Sequence, residues 1–538
     1  MKKTDLLLLL LCGFFIFACS SGGEDTPDTP DTPDTPAPEL KTPIEAGNDL
    51  YGIVIDNTGS PIEGVVVSDG FSCVESDANG VYQMPRNKDA YHVFYRIPAD
   101  RPVQMANGAP CFWKKLSKDQ QRYDFSIGAK QAVETQFTLF CLADPQTNDA
   151  TELGRFADES VPDIKKHVTA CTPPVYGITL GDIVSNNSKE YVTPTIMPQI
   201  ARLMRQDQIG MPLFQVMGNH DNATKPKISE GSSTYDLAAR RDFEDQFGPC
   251  DYSFDRGDAH IIGMDNILLS TAEHNPSNYE LGFAEAQIEW LRQDLSFVSK
   301  DKLIIFCVHA PMHKVIADQQ ATVLNLLREF PKVHIMSGHS HRNQNYIHVA
   351  SDPEQNIYEH NHGAVCGAHW KSTICAEGTP NGYGVFVIDG SSFSDWYYKS
   401  TCYDKDFQIR MYRANTRFAY NDIQQFFYHN ADQIVANIWN SDEGWTVDVY
   451  ENGTKTGQME RFETEDYDAW ACGYHAGILK RTSYTKKTEH LYYYTLKDAN
   501  AATVEIRATD KFGNVYTQDT FTTNSIADYP TVENYPQQ

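Results

Sequence analysis

Gly218-Asn219-His220-Asp221 follows an apolar run, residues 213–217, that predicts a buried strand. The tetrapeptide puts an amide oxygen, an imidazole and a carboxylate at one sheet edge, and its glycine lets the backbone turn sharply there. Four other apolar runs end in similar polar tetrapeptides: residues 143–146 (ADPQ), 181–184 (GDIV), 308–311 (VHAP) and 338–341 (GHSH). Five such endings in one region are hard to explain by packing, so they indicate a functional site.

Helical patterns alternate with these strands. They are predicted over residues 152–171, 192–205, 283–298 and 316–330. In the third of them, Ile288, Leu291 and Leu295 form an apolar stripe with charged residues between them. Strand-helix alternation indicates an α/β core of mostly parallel strands, with the site at the carboxyl ends of the strands. The five polar endings lie where that rule places a site.

The composition excludes some classes of function. The chain has 538 residues, 45 of them Lys or Arg and 72 Asp or Glu, for a formal charge of −27. A general nucleic-acid binder needs a basic face, so no nucleic-acid partner is expected, although a local basic patch stays possible. Twelve cysteines without a CxxC pair argue against a structural zinc site.

The N-terminus has the pattern of an export signal. Two lysines precede an apolar run over residues 6–17, which is shorter than the ~20 residues of a membrane span. The run ends in Ile16-Phe17-Ala18-Cys19, which resembles the lipobox of bacterial lipoproteins. The resemblance implies a signal peptide at 1–18, lipidation of Cys19 and export to the bacterial cell envelope. The protein would be anchored there by its lipid, at the outer membrane, on the periplasmic or cell-surface side. An ordinary signal with a chance cysteine is the alternative.

Residues 19–44 are predicted to form an acidic tether. Asp-Thr-Pro is repeated from Asp25 to Pro36. Proline at every third position prevents helix and sheet and favours polyproline II, which rises by ~3.1 Å per residue. About twenty residues of this kind would reach roughly 60 Å from the anchor.

Two β domains are predicted on either side of the α/β region. Residues 45–131 alternate apolar and polar positions between Gly, Asn and Asp turns, and they resemble the carboxypeptidase-regulatory-like or transthyretin-like sandwich. Residues 403–538 resemble an Ig-like sandwich. Trp439, Trp445 and Trp470 of this second domain belong either to its core, which we expect, or to a glycan-contacting face.

The five tetrapeptides, in their order along residues 132–402, resemble the blocks of the calcineurin-like metallophosphoesterases. Residues 247–266 (FGPCDYSFDRGDAHIIGMDN) are also similar to that family. The resemblance implies a four-layer α/β/β/α sandwich. The fold class expected for the whole chain is therefore α/β, with such a sandwich flanked by two small all-β sandwich domains.

The resemblance also implies two divalent metal ions that share one carboxylate, from Asp182. The residues implied for the first ion are Asp144, Gln146, Asp182 and His341. The residues implied for the second are Asp182, Asn219, His309 and His339. His220 would be the catalytic histidine, and Asp221 would orient it.

The residue types suit this chemistry. Two ions ~3.5–4 Å apart need a shared carboxylate. Imidazole, amide and carboxylate together suit Mn, Fe or Zn, and Mg stays open. The implied activity is hydrolysis of phosphate mono- or diesters by attack of a metal-bridging hydroxide, with His220 at the leaving oxygen. Asp144-Pro145-Gln146 replaces the family's usual Asp-x-His, as in an Asp-Pro-Gln subgroup, and the neutral amide should harden the first site.

Several residues outside the tetrapeptides leave alternatives open. The residues that either wall the substrate pocket or close the sheet are Trp370, Asn381 and Tyr383. Cys366 and Cys375 could form a disulfide, which an exported location permits. His313 is either an outer-shell group or a loop histidine, while His260 and His334 lie in apolar runs that predict core positions.

The motifs do not single out one class of substrate. A sugar phosphate, a nucleotide, a phosphoprotein or a phosphorylated glycan all fit, and an exported location favours small molecules or glycans. The competing function is a catalytically weak binding protein of the cell envelope that uses its β domains for glycan or protein contact. The nearly complete set of metal ligands argues against it.

Overall fold

The computed structural model describes residues 38–172, 174–186, 189–228, 232–270, 278–418 and 430–523. The predicted signal peptide, Cys19 and most of the tether lie outside the described residues. From Pro38 onward the described residues pack as one unit. Among the helices of these ranges, none has the length and apolarity that crossing a membrane requires.

Two sheets form the centre of the α/β region. The strands of sheet A, in spatial order, are Leu213–Phe214, Val175–Thr179, Gln136–Leu142, Gly382–Asp389 and Ser392–Ser400. The strands of sheet B, in spatial order, are Tyr252–Arg256, Ala259–Gly263, Leu303–Cys307, Lys332–Ser337, Ile357–Asn361 and Gln344–His348. The first three strands of sheet A and the middle four of sheet B are parallel. The predicted run 213–217 pairs as a strand over its first two residues.

The helices cover the outer faces of the two sheets. Those beside sheet A are Ala150–Arg155, Val161–Ala170, Met197–Leu203 and Gln206–Ile209, with π-helical turns at Phe156–Ser160 and Val192–Ile196. The helices that come later in the chain are Tyr235–Ala239, Arg241–Phe247, Glu285–Ser296 and Ala317–Leu327. Asp149 begins the first helix because its carboxylate accepts the N–H groups of Thr151 and Glu152.

Strand Gln136–Leu142 shows how the layers stack, because successive side chains point to opposite faces of a sheet. The residues in the apolar core shared with sheet B are Phe137, Leu139 and Cys141. The residues that pack with the helices beside sheet A are Phe140 and Leu142. Trp290 and Leu324, from the two helices beside sheet B, belong to the same continuous apolar cluster. The order is helices, sheet A, sheet B, helices, which confirms the predicted four-layer sandwich.

The N-terminal β region has two sheets. The strands of the first are Val81–Met84, Leu50–Ile55 and Phe125–Ser126. The strands of the second are Cys73–Glu75, Val66–Ser68, His92–Tyr95 and Trp113–Lys115, and a small hairpin joins Met105–Ala106 to Ala109–Pro110. The Arg96 guanidinium ties this region to sheet B, because it lies 3.4 Å from the Asp255 carboxylate and 3.6 Å from the Asp294 carboxylate.

The C-terminal β region also has two sheets. The strands of the first are Ile409–Arg413, Gln433–Ile438, Leu491–Thr495 and Glu460–Arg461. The strands of the second are Thr454–Gln458, Thr446–Glu451, Val504–Thr509 and Val515–Gln518. Trp439, Trp445 and Trp470 are 0 %, 8 % and 1 % exposed, which confirms that they belong to the core.

A helical insertion, residues 469–486, interrupts the first C-terminal sheet. It contains Ala469–Cys472, the π-helix Gly473–Ile478 and the 3-10 turn Thr482–Tyr484. A two-residue hairpin closes its base, where Asp466–Tyr467 pairs with Lys487–Thr488. Alternation of apolar and polar residues elsewhere in this region predicts strands, and it does not predict this insertion.

Candidate active site

The polar tetrapeptides meet at neighbouring strand ends of the two sheets. Backbone hydrogen bonds join them: Gln146 N–H to Asp182 O at 2.8 Å, and Gly338 N–H to His309 O at 2.8 Å. Five of their non-glycine residues have left-handed backbones, with φ between 42° and 68°: Asp144, Gln146, Asp182, His339 and His341. Such conformations are costly for non-glycine residues and concentrate at functional sites, where the surrounding structure maintains them.

Asp182 lies at the middle of the cluster and is 1 % exposed. Its Oδ1 accepts the backbone N–H of His220 at 2.8 Å, and its Oδ2 accepts the Gln146 amide at 3.0 Å. The same Oδ2 lies 3.4 Å from His309 Nε2. Burial acts to raise the pKa of Asp182, but the imidazoles of His309 and His220 outweigh it and hold that pKa well below its usual range. An ionised carboxylate therefore faces both groups of predicted ligands.

At the second predicted metal site, side-chain oxygen and nitrogen atoms that carry lone pairs converge. Asn219 Oδ1 lies 2.9 Å from His309 Nε2 and 3.0 Å from His339 Nδ1, and the two ring nitrogens are 3.1 Å apart. Ligand atoms of Asp182, His309 and His339 all lie within 4.8 Å of one another. His309 Nδ1 donates to Leu180 O at 2.8 Å, which turns the Nε2 lone pair toward the cluster. A divalent cation fits this donor set.

The first predicted metal site contains an orphaned carboxylate oxygen. Asp144 Oδ2 accepts the His339 N–H at 2.9 Å, while Oδ1 is buried and has no hydrogen-bond partner among the described residues. That oxygen lies 3.4 Å from His341 Nε2. His341 Nδ1 donates to Gly367 O at 3.1 Å, so Nε2 faces the orphaned oxygen. These two groups also fit a bound cation.

Gln146 links the two sites. Its amide nitrogen donates to Asp182, whereas its amide oxygen, which we predicted as a metal ligand, faces His369 Nδ1 at 3.1 Å. The His369 ring lies 4.5 Å from the His341 ring, measured between centroids. Burial, reinforced by the charges of His341 and His220, lowers the pKa of His369 to about 3, so its imidazole is neutral.

His369 is a site residue that is not among the residues predicted from the sequence. It has a left-handed backbone with φ 52°, like the residues of the five tetrapeptides. The signal was present in the sequence, because residues 364–369 (AVCGAH) form a sixth apolar run that ends in glycine and histidine. The residue predicted from this run is its neighbour Trp370 instead.

His220 and Asp221 have different surroundings from those we predicted. His220 is half-buried on the wall of the pocket, and its Nδ1 has no hydrogen-bond partner within the described chain. The Asp221 carboxylate accepts the N–H groups of Gly218 at 2.8 Å and Val184 at 3.0 Å. Burial and the charge of Asp182 raise the pKa of Asp221 to about 8. Asp221 therefore holds two loops together, which corrects its predicted role of orienting the His220 ring.

The three predicted pocket residues are structural. Trp370 is 4 % exposed and donates its indole N–H to Pro145 O at 2.8 Å, so it supports the first tetrapeptide from behind. The Asn381 amide donates to Val365 O at 3.0 Å, and the Tyr383 hydroxyl donates to Asp163 at 2.8 Å. Both of these side chains are 0 % exposed. The prediction of substrate contact is wrong for all three, because their polar atoms bond to protein groups that do not line the cavity.

Other sequence predictions have mixed outcomes. Cys366 and Cys375 are both free thiols, so the suggested disulfide is wrong. The His313 ring is tilted by 48° against the Tyr346 ring, with centroids 4.2 Å apart, and His313 lies outside the pocket. His260 is fully buried between Asp255 and Asp294, which confirms it as a core histidine.

A cavity of about 210 Å³ opens above the two predicted metal sites. The predicted ligands on its floor are Gln146, Asp182, Asn219, His339 and His341. The histidines of its wall are His220 and His369, and the residues of its rim include Tyr279, Ser483, Tyr484 and Lys486. The last three belong to the C-terminal insertion, which lies more than 100 residues from the floor residues in sequence.

Three family models match the chain in the order of its three regions. They are described as the N terminal of calcineurin-like phosphoesterase over residues 49–130, calcineurin-like phosphoesterase over 138–343, and the C terminal of calcineurin-like phosphoesterase over 359–516. The chain belongs to the calcineurin-like phosphoesterase family. Membership in this phosphoesterase family supports a metal-dependent hydrolase of phosphoric esters and implies divalent metal ions.

Solved structures resemble this phosphoesterase weakly. A 5'-nucleotidase from Candida albicans is 14% identical, with a TM-score of 0.30, and the match covers 50% of this chain and 52% of that one. A 5'-nucleotidase precursor from Thermus thermophilus is 12% identical, with a TM-score of 0.28 and coverage of 49% and 55%. A metallophosphoesterase from Sphaerobacter thermophilus is 12% identical, with a TM-score of 0.22 and coverage of 50% and 91%.

The chain spans about half the length of the two nucleotidases it matches. Similarity at this level carries no argument about substrate. A comparison with curated protein sequences finds no significant match.

Proposed function

We propose that this protein hydrolyses phosphate mono- or diesters at a centre that holds two divalent ions. The observation that carries the proposal is the position of Asp182, whose two carboxylate oxygens face the ligand groups of both predicted sites. Asp144, Gln146 and His341 would hold the first ion with Asp182. Asn219, His309 and His339 would hold the second with the same carboxylate.

The donor chemistry supports divalent metals and leaves the choice among Mn, Fe, Zn and Mg open. Ions bound there would neutralise the phosphoryl oxygens and supply an activated nucleophile. The orphaned Asp144 oxygen beside His341 supports a cation at the first site, and the converging nitrogens of His309 and His339 support one at the second. No step of the proposal requires a residue that the structure buries elsewhere.

His220 is the candidate hydrogen-bond donor to the leaving oxygen. Asp182 fixes its backbone through the 2.8 Å hydrogen bond, which places the ring on the pocket wall. Burial lowers the pKa of His220 against the opposing effect of Asp182. The ring can donate a hydrogen bond to an oxygen on which negative charge develops as the ester bond breaks.

The test is turnover of p-nitrophenyl phosphate and bis(p-nitrophenyl) phosphate, each measured against Mn²⁺, Mg²⁺ and Zn²⁺. Turnover of one ester over the other decides between monoesterase and diesterase. Asp182→Asn should lose bound metal and turnover together, while the exposed Asp318→Asn serves as the matched control. Metal-dependent turnover that survives unchanged in Asp182→Asn, or its absence from the wild type with every metal, would contradict the proposal.

The competing binding function has less support. The three tryptophans that could form a glycan-contacting face in the C-terminal region are buried. The cavity of about 210 Å³ suits a small phosphorylated molecule or the terminal group of a glycan. We also propose that the protein is exported and lipid-anchored to the cell envelope, on the basis of the lipobox-like residues 16–19 and the tether.

A further inference from the structure

The rim of the candidate active site is built partly by the C-terminal insertion. Ser483, Tyr484 and Lys486 line the same cavity as His220 and His369. The predicted metal ligands occupy the floor of that cavity, so a phosphoryl group would bind there. Groups on the rim would then meet the part of the substrate that leaves.

The insertion is fixed against the α/β region. The Lys486 N–H donates to Ala376 O at 3.0 Å, and the Arg342 guanidinium donates to Lys487 O at 3.1 Å. Deeper in the insertion, His475 Nε2 and Ser372 Oγ are 2.9 Å apart, and both residues are buried. These bonds set the distance between the rim and the floor, so the insertion is a permanent wall of the pocket.

Tyr484 presents an aromatic ring at this wall. Its centroid lies 5.7 Å from that of His369, with the two rings tilted by 40°, and the Arg481 guanidinium lies 5.5 Å from it. The side chain is half-buried, so part of the ring is open to the cavity. A flat ring of a substrate would pack against such a surface.

Lys486 is a cationic residue of the same cavity wall. Its side chain is exposed, and in the part of the chain that the structure describes its ammonium makes no ion pair. The whole chain carries a formal charge of −27, and the cavity floor contains the acidic Asp182. A cation on the rim of such a pocket would attract an anionic group of the substrate.

We propose that the C-terminal insertion recognises the leaving group, and that the preferred substrates are phosphate esters whose leaving group carries a ring and a second negative charge. Tyr484 packs against the ring, and Lys486 pairs with the charge. The inference rests on the proposed function for the phosphoryl end of the substrate and adds the class of leaving group.

The test uses ligands that cannot be hydrolysed, so that binding is measured apart from turnover. Calorimetry with Mn²⁺-loaded protein compares 4-carboxyphenylphosphonate, phenylphosphonate and methylphosphonate. The first two ligands differ by a negative charge, and the last two differ by the aromatic ring. The variants are Lys486→Gln, Tyr484→Ala and Tyr484→Phe. Lys487→Gln is the matched control, because this neighbouring exposed lysine lies outside the cavity.

The wild type should bind the carboxyphenyl ligand about 2–5-fold more tightly than phenylphosphonate, the range expected for an exposed charge pair. Lys486→Gln should abolish that preference, and Lys487→Gln should keep it. Tyr484→Ala should reduce the preference for phenylphosphonate over methylphosphonate by about 2–10-fold, which is the contribution of one aromatic contact. Tyr484→Phe should keep the preference because it keeps the ring.

Failure of the leaving-group inference can be distinguished from failure of the proposed function. If the wild type hydrolyses phenyl phosphate but Lys486→Gln and Tyr484→Ala bind all three ligands with wild-type preferences, the leaving-group inference is overturned and the proposed function stands. If the Mn²⁺-loaded wild type neither hydrolyses phenyl phosphate nor binds any of the phosphonates, both are overturned.

Discussion

Gln146 is the residue whose replacement tests the candidate metal centre most directly. It stands where the family's common pattern has histidine, and its amide makes two hydrogen bonds, to Asp182 at 3.0 Å and to His369 at 3.1 Å. Gln146→Ala removes both bonds while leaving the ligands of the second site in place. We expect the variant to fold, to keep the second ion and to hold the first ion more weakly.

The size of the effect follows from the bond to Asp182. A hydrogen bond to a charged group contributes about 1.5–3 kcal/mol. Because about 1.4 kcal/mol corresponds to tenfold in an equilibrium constant, the first ion should dissociate about 10–100-fold more readily. The same range is typical when an outer-shell partner of a metal ligand is removed. If the amide oxygen itself binds the ion, the loss should lie at the upper end.

The assay is a titration of metal content and of turnover with Mn²⁺, Mg²⁺ and Zn²⁺. Gln146→His is the informative second variant, since a second imidazole should shift preference toward Zn²⁺ or Fe relative to Mg²⁺ while keeping some activity. Gln344→Ala is the control, because this glutamine is also buried and its amide donates to Glu465, away from the cavity.

Superimposable titration curves for wild type, Gln146→Ala and Gln146→His would refute the reasoning. They would mean that the amide neither binds the first ion nor holds Asp182 in place. Loss of both ions from Gln146→Ala would instead show that Gln146 supports the whole cluster, and the assignment to the first site would be wrong.

Three further predictions concern other parts of the chain. His220→Asn should lower kcat by ~10²–10⁴ with metal content unchanged, the usual contribution of a positioned acid or base, and loss of metal would contradict this role. Asp255 and Asp294 each lie 2.9 Å from a ring nitrogen of His260, and although burial opposes it, these carboxylates raise its pKa. A raised pKa means that protonated His260 stabilises the folded protein. This contribution is fully present below the unfolded pKa of about 6.5 and is lost as pH rises through the folded pKa. His260→Asn should therefore destabilise the protein by about 3 kcal/mol at pH 6 and by less at pH 9, as measured by denaturant unfolding, and equal losses would contradict it. Cys19→Ala should release the protein from membranes, and labelled palmitate that is still incorporated in the variant would exclude lipidation at Cys19.

The position of the candidate site could be predicted from the sequence because each of its parts is local, and the ligand set followed from the family resemblance that these parts carry. An apolar run followed by a short polar tetrapeptide identifies a strand end, and the carboxyl ends of parallel strands meet at one edge of a sheet. Asp182, Asn219 and His309 could therefore be placed together without knowing any distance. The fold class followed from the same alternation of strands and helices.

The role of each neighbouring residue depended on contacts that the local pattern does not contain. Asp221 bonds to the backbone of two loops, and Tyr383 bonds to Asp163 in the layer that closes sheet A. Whether a polar side chain faces a cavity or a buried partner depends on the packing of layers distant in sequence. The sequence therefore identified both residues, but the role it predicted for Asp221 was wrong, and for Tyr383 it left pocket wall and sheet closure open.

The strand-end motifs carried the resemblance to the family, and that resemblance in turn implied the α/β sandwich and the set of candidate metal ligands. Only the tertiary structure decided that His369 joins the site and that Tyr484 and Lys486 form its rim. His369 and Tyr484 are separated by 115 residues, yet their rings lie 5.7 Å apart because the C-terminal insertion docks on the α/β region. Periodicity describes how one segment buries its own apolar face, whereas the position of that rim depends on hydrogen bonds between two regions that fold as separate sheets.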